Sequence, residues 1–166
     1  MHNKETVNIN ELLKNQSFTE LNAMQKEMLA LDSKVNDVIL LSPTGSGKTI
    51  AYLIRLLQVL KHDTEGFQAI IIAPTRELVL QIESVFKSLK SGFSSCVCYG
   101  GHNARIEQNR LSENPDVIIG TPGRITDHIL KGKIRADHFQ LVVLDEFNKS
   151  LEMGFKGDFE IIFTNL

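Results

Sequence analysis

A glycine-rich segment at residues 42–49 places the strongest constraint on the fold of this chain. It follows an apolar run at residues 37–41 and precedes a stretch with helical periodicity at residues 50–60, which predicts a strand, a tight turn and a helix in that order. Gly45 and Gly47 can adopt positive φ, so backbone N–H groups can converge on an anion at the helix N-terminus. We therefore predict a phosphate-binding loop.

The end of this segment suits a nucleotide that carries Mg²⁺. Lys48 brings a full positive charge to the β- and γ-phosphates, and the Thr49 hydroxyl is placed to ligate the metal. Only the first glycine of the pattern G-x-x-x-x-G-K-[ST] is replaced, by Ser42. The alternative is a strand–helix turn that happens to contain glycine and lysine, but the order of elements favours phosphate binding. The predicted nucleotide-binding residues of the loop are Thr44, Gly45, Ser46, Gly47, Lys48 and Thr49.

Strands and helices alternate along the rest of the chain. Apolar strands are predicted at residues 68–73, 94–99, 116–120 and 140–144. Short helices are predicted at 9–13 and 22–31, and longer ones at 76–89 and 103–111. Two further helical segments are predicted, one that follows residues 121–124 and ends at about Leu130, and one beyond residue 146. This alternation predicts an α/β fold with a mostly parallel sheet and helices on both faces. Ligands of such sheets bind at the carboxyl ends of the strands, where the short motifs of this chain fall.

The composition is that of a single globular domain. The chain has 166 residues, of which 42% are hydrophobic and 23% charged, and its net charge is −2. This excludes a disordered chain and a strongly basic nucleic-acid binder, so any nucleic-acid contact must be local. Because no apolar run approaches a signal-peptide core or a membrane span, we expect a cytoplasmic protein without membrane contact.

The two cysteines, Cys96 and Cys98, are two residues apart in a predicted strand. Their side chains therefore point to the same face, and a disulfide between them is geometrically poor. Free thiols suit a reducing cytosol. A C-x-C metal site is the alternative, but no His or Cys pair at ligand spacing completes it.

Two carboxylates, Asp145 and Glu146, follow the last predicted strand. In a phosphate-loop protein, the aspartate is placed to hold Mg²⁺ through water, and the glutamate can orient or deprotonate the attacking water. A helix-capping acidic pair is the alternative. The presence of Lys48 and Thr49 favours the catalytic interpretation of Asp145, Glu146 and Lys48.

Several motifs follow each other in a fixed order between residues 18 and 155. They are Phe18 with Gln25, Pro43 to Thr49, Pro74-Thr75-Arg76-Glu77-Leu78, Gly100-Gly101, Thr121-Pro122-Gly123-Arg124, Asp145-Glu146-Phe147-Asn148 and Met153-Gly154-Phe155. In this order they resemble the motifs of the DEAD-box family of ATP-dependent RNA helicases. The resemblance implies a RecA-like P-loop domain that uses ATP and Mg²⁺.

The resemblance also implies roles for individual residues. Gln25 would read the adenine edge and Phe18 would stack on it, although without the family a surface glutamine over a packed aromatic is the simpler interpretation. Thr49 and Asp145 would hold Mg²⁺. The residues that would contact the RNA backbone are Pro74, Thr75, Arg76, Gly101, Thr121, Pro122, Gly123 and Arg124.

Three departures from the family pattern are visible. Residues 21–24 replace Pro-Thr-Pro-Ile, and Asn8 stands where the family usually has an upstream aromatic. Phe147 and Asn148 replace Ala-Asp, while Asp145 and Glu146 are unchanged. We therefore expect metal and water chemistry to persist, whereas Asn148 lacks a charge that the family uses to join the nucleotide site to motif III.

We interpret residues 1–166 as one N-terminal RecA-like ATP-binding domain, with a Gln-motif region at 1–36 and a core at 37–166. The second RecA-like domain, its partner in hydrolysis and duplex unwinding, lies outside this sequence. The alternative function is a nucleotide-dependent RNA clamp with little hydrolysis, and a phosphate-loop kinase would leave the later motifs unexplained. The family's motif III strand would also follow residue 166, so we expect residues 38–41 and 141–144 to lack that neighbour.

Overall fold

The structure is a computed structural model that describes residues 20–32, 34–43, 45–101, 104–135 and 139–165, with the side chain of Ala104 excepted. The helices are α1 (Ala23–Ala30), α2 (Lys48–Val59), α3 (Arg76–Ser88), α4 (Ala104–Ser112), α5 (Pro122–Leu130), α6 (Phe147–Glu152) and α7 (Lys156–Thr164). The strands are β1 (Ala69–Ile72), β2 (Ser95–Cys98), β3 (Val117–Gly120) and β4 (Leu141–Leu144).

The chain divides into two compact units. The first unit contains the described residues up to Val59 together with Val85–Ser91, and the second contains Leu60–Ser84 and the chain from Gly92 onward. In the first unit, Asn22 caps α1 in a reciprocal capping box with Gln25. Arg55 of α2 donates to the Asp32 carbonyl over 3.2 Å, which fixes the end of α1 against α2.

The second unit contains a sheet in which all strands are parallel, in the order β2-β3-β1-β4. Every residue of β1 and β3 is buried, so both faces of these strands are covered, as is usual in parallel sheets. One face carries Ile70, Ile72, Cys96, Cys98 and Ile118. The helix residues that join them in the core are Leu111, Ile125, Phe159 and Ile162.

A glycine at the end of β3 allows α5 to lie close to the sheet. A Cβ at Gly120 would lie 2.6 Å from the Ile125 Cδ1 atom and 2.7 Å from the Cys98 carbonyl oxygen. Any larger residue would therefore push α5 away from the strand. Pro122 follows at the first turn of α5, where its missing N–H costs nothing.

Most of the predicted elements are confirmed, with bounds that differ by no more than two residues. The strand predicted at residues 37–41 is wrong, because this segment has no regular structure and the sheet does not include it. Ile39 and Leu41 are each 87% exposed. An apolar run becomes a strand only when a neighbour pairs with its backbone, so its apolar composition alone was not enough to predict a strand here. The helix predicted at 9–13 lies outside the described residues, and no described helix is long and apolar enough to span a membrane.

A buried polar group joins the amino ends of three strands. The fully buried Gln68 amide accepts from Lys61 N (2.8 Å) and donates to the Lys61 carbonyl (2.9 Å) and to Asp116 Oδ1 (3.0 Å). Asp116 Oδ2 accepts from both N and Oγ of Ser94 over 2.8 Å. Gln68, Asp116 and Ser94 directly precede β1, β3 and β2, so these bonds set the positions where the strands begin.

A second polar network joins α4 to α5. Glu107, which is fully buried, accepts from Nε and Nη2 of Arg124 over 2.6 and 2.5 Å. Its Oε2 also lies 3.1 Å from Nε2 of the buried His128. Burial alone would raise the pKa of the Glu107 carboxyl, but contacts with His128 and Arg124 outweigh burial and the pKa is lowered.

Replacing Gln68 with methionine keeps the side-chain length and removes four hydrogen bonds, including a 3.3 Å bond to the Thr64 carbonyl. We expect Gln68→Met to lower the free energy of unfolding measurably, because each buried group that loses its partner costs about 1–3 kcal/mol. Urea denaturation followed by circular dichroism measures this loss. The matched control is Gln140→Met at an exposed position, and equal stabilities of the two variants would contradict a structural role for Gln68.

The Glu107 network predicts a pH dependence with a defined sign. Since the pKa of Glu107 is lowered in the fold, its stabilisation is complete above the ordinary glutamate pKa of about 4.3 and is lost as the pH falls through the folded value. In metal-free buffer at pH 7, Glu107→Gln should cost about 1.5–3 kcal/mol, and the difference from wild type should shrink below pH ~4. Thermal unfolding across pH measures both effects, with the exposed Glu113→Gln as control. A difference that stays constant down to pH 3 would exclude the ionised carboxylate as its source.

Candidate functional site

The glycine-rich loop of the first unit has the backbone geometry expected for anion binding. Gly45 and Gly47 have φ values of +79° and +87°, and α2 begins directly after them at Lys48. A Cβ at Gly47 would lie 2.5 Å from Gln25 Nε2 and would displace that side chain, and the positive φ itself strains any other residue at this position. The loop therefore presents its N–H groups at the start of a 12-residue helix, where the helix dipole favours negative charge.

Lys48 and Thr49 form the first turn of α2. Lys48 Nζ donates to the Ser42 carbonyl over 2.7 Å, so the ammonium lies across the mouth of the loop. The hydroxyls of Ser42 and Ser46 are also in contact. Thr49 offers a half-buried hydroxyl oxygen, the kind of donor that Mg²⁺ prefers. Thr44 lies outside the described residues.

Gln25 supports this loop from α1. Its side chain is only 5% exposed, its Nε2 donates to the Gly47 carbonyl over 3.2 Å, and its Oε1 accepts from Asn22 N over 3.0 Å. Asn22 Nδ2 donates in turn to the Ser46 carbonyl over 2.9 Å. This contact was not predicted, because a helix-capping residue 24 positions away in the sequence carries no signal for it. Phe18 lies outside the described residues.

The second unit brings four strand ends to one edge of its sheet. Ile72 is paired with Gly120 on one side and with Leu144 on the other, and Gly120 is paired with Cys98. The residues that follow are therefore neighbours, which we call the carboxyl edge: Ala73 to Arg76, Tyr99 to Gly101, Thr121 to Arg124, and Asp145 with Glu146. Hydrogen bonds continue into this edge, from Ala73 N to the Gly120 carbonyl and from Asp145 N to the Ile72 carbonyl.

The side chains of the carboxyl edge are held in different ways. The exposed Arg76 lies over the ring of Tyr99, with 5.0 Å between its Cζ and the ring centroid. Thr75 Oγ1 accepts from Leu78 N over 3.3 Å as α3 begins. Thr121 precedes α5 and makes no side-chain capping bond, which leaves its hydroxyl for other partners. Pro74 and Pro122 are buried. Gly101 is exposed and has a φ of +79°.

Arg124 is held more tightly than the sequence indicated. Its Nε and Nη2 bind Glu107, its Nη1 lies 3.1 Å from Asp127 Oδ2, and its side chain is 19% exposed. The carboxylate of Glu107 raises the pKa of this guanidinium further above its ordinary value. Gly123 lies beside it against α7, where a Cβ would lie 3.7 Å from Asp158 Oδ1. Arg124 thus binds α4 as well as facing the edge.

Asp145 and Glu146 leave β4 at the same edge. Asp145 is 9% exposed, and Glu146 has a left-handed backbone with φ 50° and ψ 45°. A non-glycine residue in this region is costly and is frequent at functional sites. The Glu146 carbonyl accepts from Ser150 N over 3.1 Å, so α6 fixes this backbone conformation. The phosphate loop and this acidic pair belong to different compact units.

Comparisons with known proteins identify a family and several similar proteins. The family model described as DEAD/DEAH box helicase matches residues 22–166. An ATP-dependent rRNA helicase RRP3 of Encephalitozoon cuniculi is 36% identical over 151 residues, which cover 90% of this chain and 38% of the relative. The DEAD-box ATP-dependent RNA helicase CshA of Bacillus subtilis is 38% identical over 151 residues, which cover 90% of this chain and 31% of the relative.

A solved structure has the same fold. The crystal structure of a hypothetical ATP-dependent RNA helicase from Sulfolobus tokodaii matches with a TM-score of 0.84 and 31% identity, covering 95% of this chain and 46% of that chain. This confirms the RecA-like α/β fold expected from the motifs. The chain spans less than two fifths of the length of both curated relatives. Since the family model covers nearly all of the described residues, the chain belongs to the DEAD/DEAH box helicase family.

Proposed function

We propose that this chain is the ATP-binding part of an ATP-dependent RNA helicase, which binds ATP with Mg²⁺ and contacts the RNA backbone. The observation that carries the proposal is the loop at residues 42–49. Its two positive-φ glycines, its lysine and the start of α2 together form an anion site with a full charge beside it. We also propose a cytoplasmic location, because a reducing compartment suits the two free cysteines of the chain.

In this proposal, the loop amides and Lys48 bind the phosphates. Lys48 would exchange its bond to the Ser42 carbonyl for a charge-assisted bond to a phosphate oxygen. Thr49 and Asp145 are the oxygen donors that would hold Mg²⁺, which neutralises charge on the phosphates when it is bound. Glu146 would orient the attacking water and accept its proton, and its left-handed backbone is held by the bond of its carbonyl to Ser150 N.

Gln25 has the capacity to serve both the loop and the adenine. An amide group carries two N–H donors and a carbonyl with two lone pairs. Its bonds to Gly47 and Asn22 use one donor and one lone pair, which leaves one of each for the base. Phe18 would supply the stacking face. Adenine binding would then be coupled directly to the position of the phosphate loop.

RNA would bind along the carboxyl edge through its backbone. Hydroxyls of Thr75 and Thr121, the exposed N–H of Gly101 and the guanidiniums of Arg76 and Arg124 are groups that contact phosphate and ribose without reading sequence. Pro74, Pro122 and Gly123 shape the turns between them. Duplex unwinding and efficient hydrolysis would require a second RecA-like domain, which is the partner we propose for this one.

A nucleotide-dependent RNA clamp with little hydrolysis is the second candidate. It is favoured by Asn148, an exposed residue of α6 that is uncharged where the family has aspartate. Phe147, the other departure, packs edge-on against Phe159 with 4.9 Å between the ring centroids, so its role is in the core. Steady-state ATPase assays of the full-length gene product, with and without RNA, separate the two candidates.

Lys48→Ala should weaken ATP and ADP binding to this chain by about 10–100-fold, because one charge-assisted contact contributes about 1.5–3 kcal/mol. Isothermal titration calorimetry with Mg-ADP measures the loss. The matched control is Lys61→Ala, an exposed lysine outside the loop. Equal ADP affinities for wild type and Lys48→Ala, with both folded by circular dichroism, would refute the phosphate-loop assignment.

Arg76→Ala should weaken binding of single-stranded RNA by a similar factor for all sequences and should reduce the salt dependence by about one counterion. Fluorescence anisotropy with two unrelated labelled oligonucleotides over a salt series tests both features. Arg110→Ala, at an exposed position of α4 away from the strand ends, is the control and should bind as wild type does. A loss confined to one of the two sequences would contradict backbone binding.

A further inference from the structure

A second cluster of chemically reactive side chains lies within the core of the second unit. Cys98, Glu107 and His128 are all buried, and each offers one ligand atom such that these atoms lie within 4.8 Å of one another. They come from β2, α4 and α5, and none of them contacts nucleotide or RNA in the function proposed above. We propose that these three side chains form a binding site for a transition-metal cation of the zinc class.

The polar atoms of this cluster are incompletely satisfied among the described residues. Neither ring nitrogen of His128, which is 1% exposed, makes a well-aligned hydrogen bond, although Nε2 lies 3.1 Å from Glu107 Oε2. Glu107 Oε1 is likewise buried without a hydrogen-bond partner. Buried donors and acceptors are normally paired, so several unpaired atoms at one point indicate a missing ligand.

The donor set selects the metal. A thiolate, an imidazole and a carboxylate are the three ligand types that Zn²⁺ takes, whereas Mg²⁺ and Ca²⁺ require oxygen ligands and room for water. Each of the three residues is buried, which suits a compact four-coordinate ion with one further ligand. Cys96 lies on the same face of β2 as Cys98, but its sulfur is not part of the three-residue group.

The surrounding charges are compatible with a divalent ion. A Cys98 thiolate and the Glu107 carboxylate together balance two positive charges. Arg124 already binds Oε2 of Glu107, which leaves Oε1 as the oxygen available to a metal, and Asp127 balances Arg124. Such a partner of a ligating carboxylate acts as an outer-shell support. The ion would join β2, α4 and α5 at one point.

The direct test uses the 166-residue chain, purified without a metal-binding tag and stripped with a chelator. We expect it to take up about one equivalent of Zn²⁺, and about one of Co²⁺ with the absorption of a tetrahedral, thiolate-bound ion. Zinc at about 100 times its Kd should raise the melting temperature by several degrees, reversibly with chelator. A wild-type chain that binds no Zn²⁺, or whose Co²⁺ spectrum lacks the thiolate band, overturns the proposal whether or not any variant folds.

Matched variants test the ligand set. Cys98→Ser and His128→Gln should each weaken Zn²⁺ binding at least about 100-fold, measured by competition with a zinc-binding dye. Cys96→Ser and His62→Gln should bind as wild type does, the latter at an exposed histidine that stacks on Phe93. If Cys96→Ser loses binding while His128→Gln retains it, the cysteine pair alone binds metal and the proposed ligand set is wrong. Zn²⁺ uptake is measured in the absence of nucleotide, so this result does not depend on the phosphate loop.

Discussion

The parallel register of the sheet is the constraint on which the second unit depends. Ile72 is paired with Gly120 and with Leu144, and Gly120 is paired in turn with Cys98. In a parallel sheet, such a register brings every carboxyl end to the same line, so short motifs far apart in sequence become one surface. The bonds of Gln68 and Asp116 fix the same register from the opposite end. The carboxyl edge is therefore a consequence of strand pairing rather than of any single loop.

The phosphate loop depends on a different support. A glycine-rich loop is flexible, and its N–H groups bind an anion well only if their positions are fixed beforehand. Here Gln25 and Asn22 of the first unit bind two consecutive loop carbonyls, of Gly47 and Ser46. The capping box of α1 in turn orients both amides. One short helix thus determines the conformation of the loop that we propose for nucleotide binding.

The two arginines of the carboxyl edge are held by different contacts. Arg76 rests on Tyr99 and is exposed, whereas Arg124 is held by Glu107 and Asp127. An arginine that already has carboxylate partners presents less net charge to a phosphate but holds its position more rigidly. The two arginines therefore differ in kind, one as an exposed side chain on an aromatic ring and the other as part of the framework between α4 and α5. With a net charge of −2 for the whole chain, the RNA affinity that we propose would have to come from this local arrangement.

The sequence by itself determined the order of elements, the glycine-rich loop and the motifs at the strand ends, because each rests on local spacing and on residue chemistry. Apolar periodicity also indicated β1 to β4 correctly, since each of these strands pairs with at least one neighbour. Residues 37–41 have the same apolar composition, yet they form no strand, because strand formation is decided by pairing and not by propensity. The proximity of Cys98, Glu107 and His128 could not be predicted from the sequence either, since their spacing follows no known ligand pattern. Only the tertiary structure decided these points, because contacts between distant residues depend on how the elements pack and not on the order in which they occur.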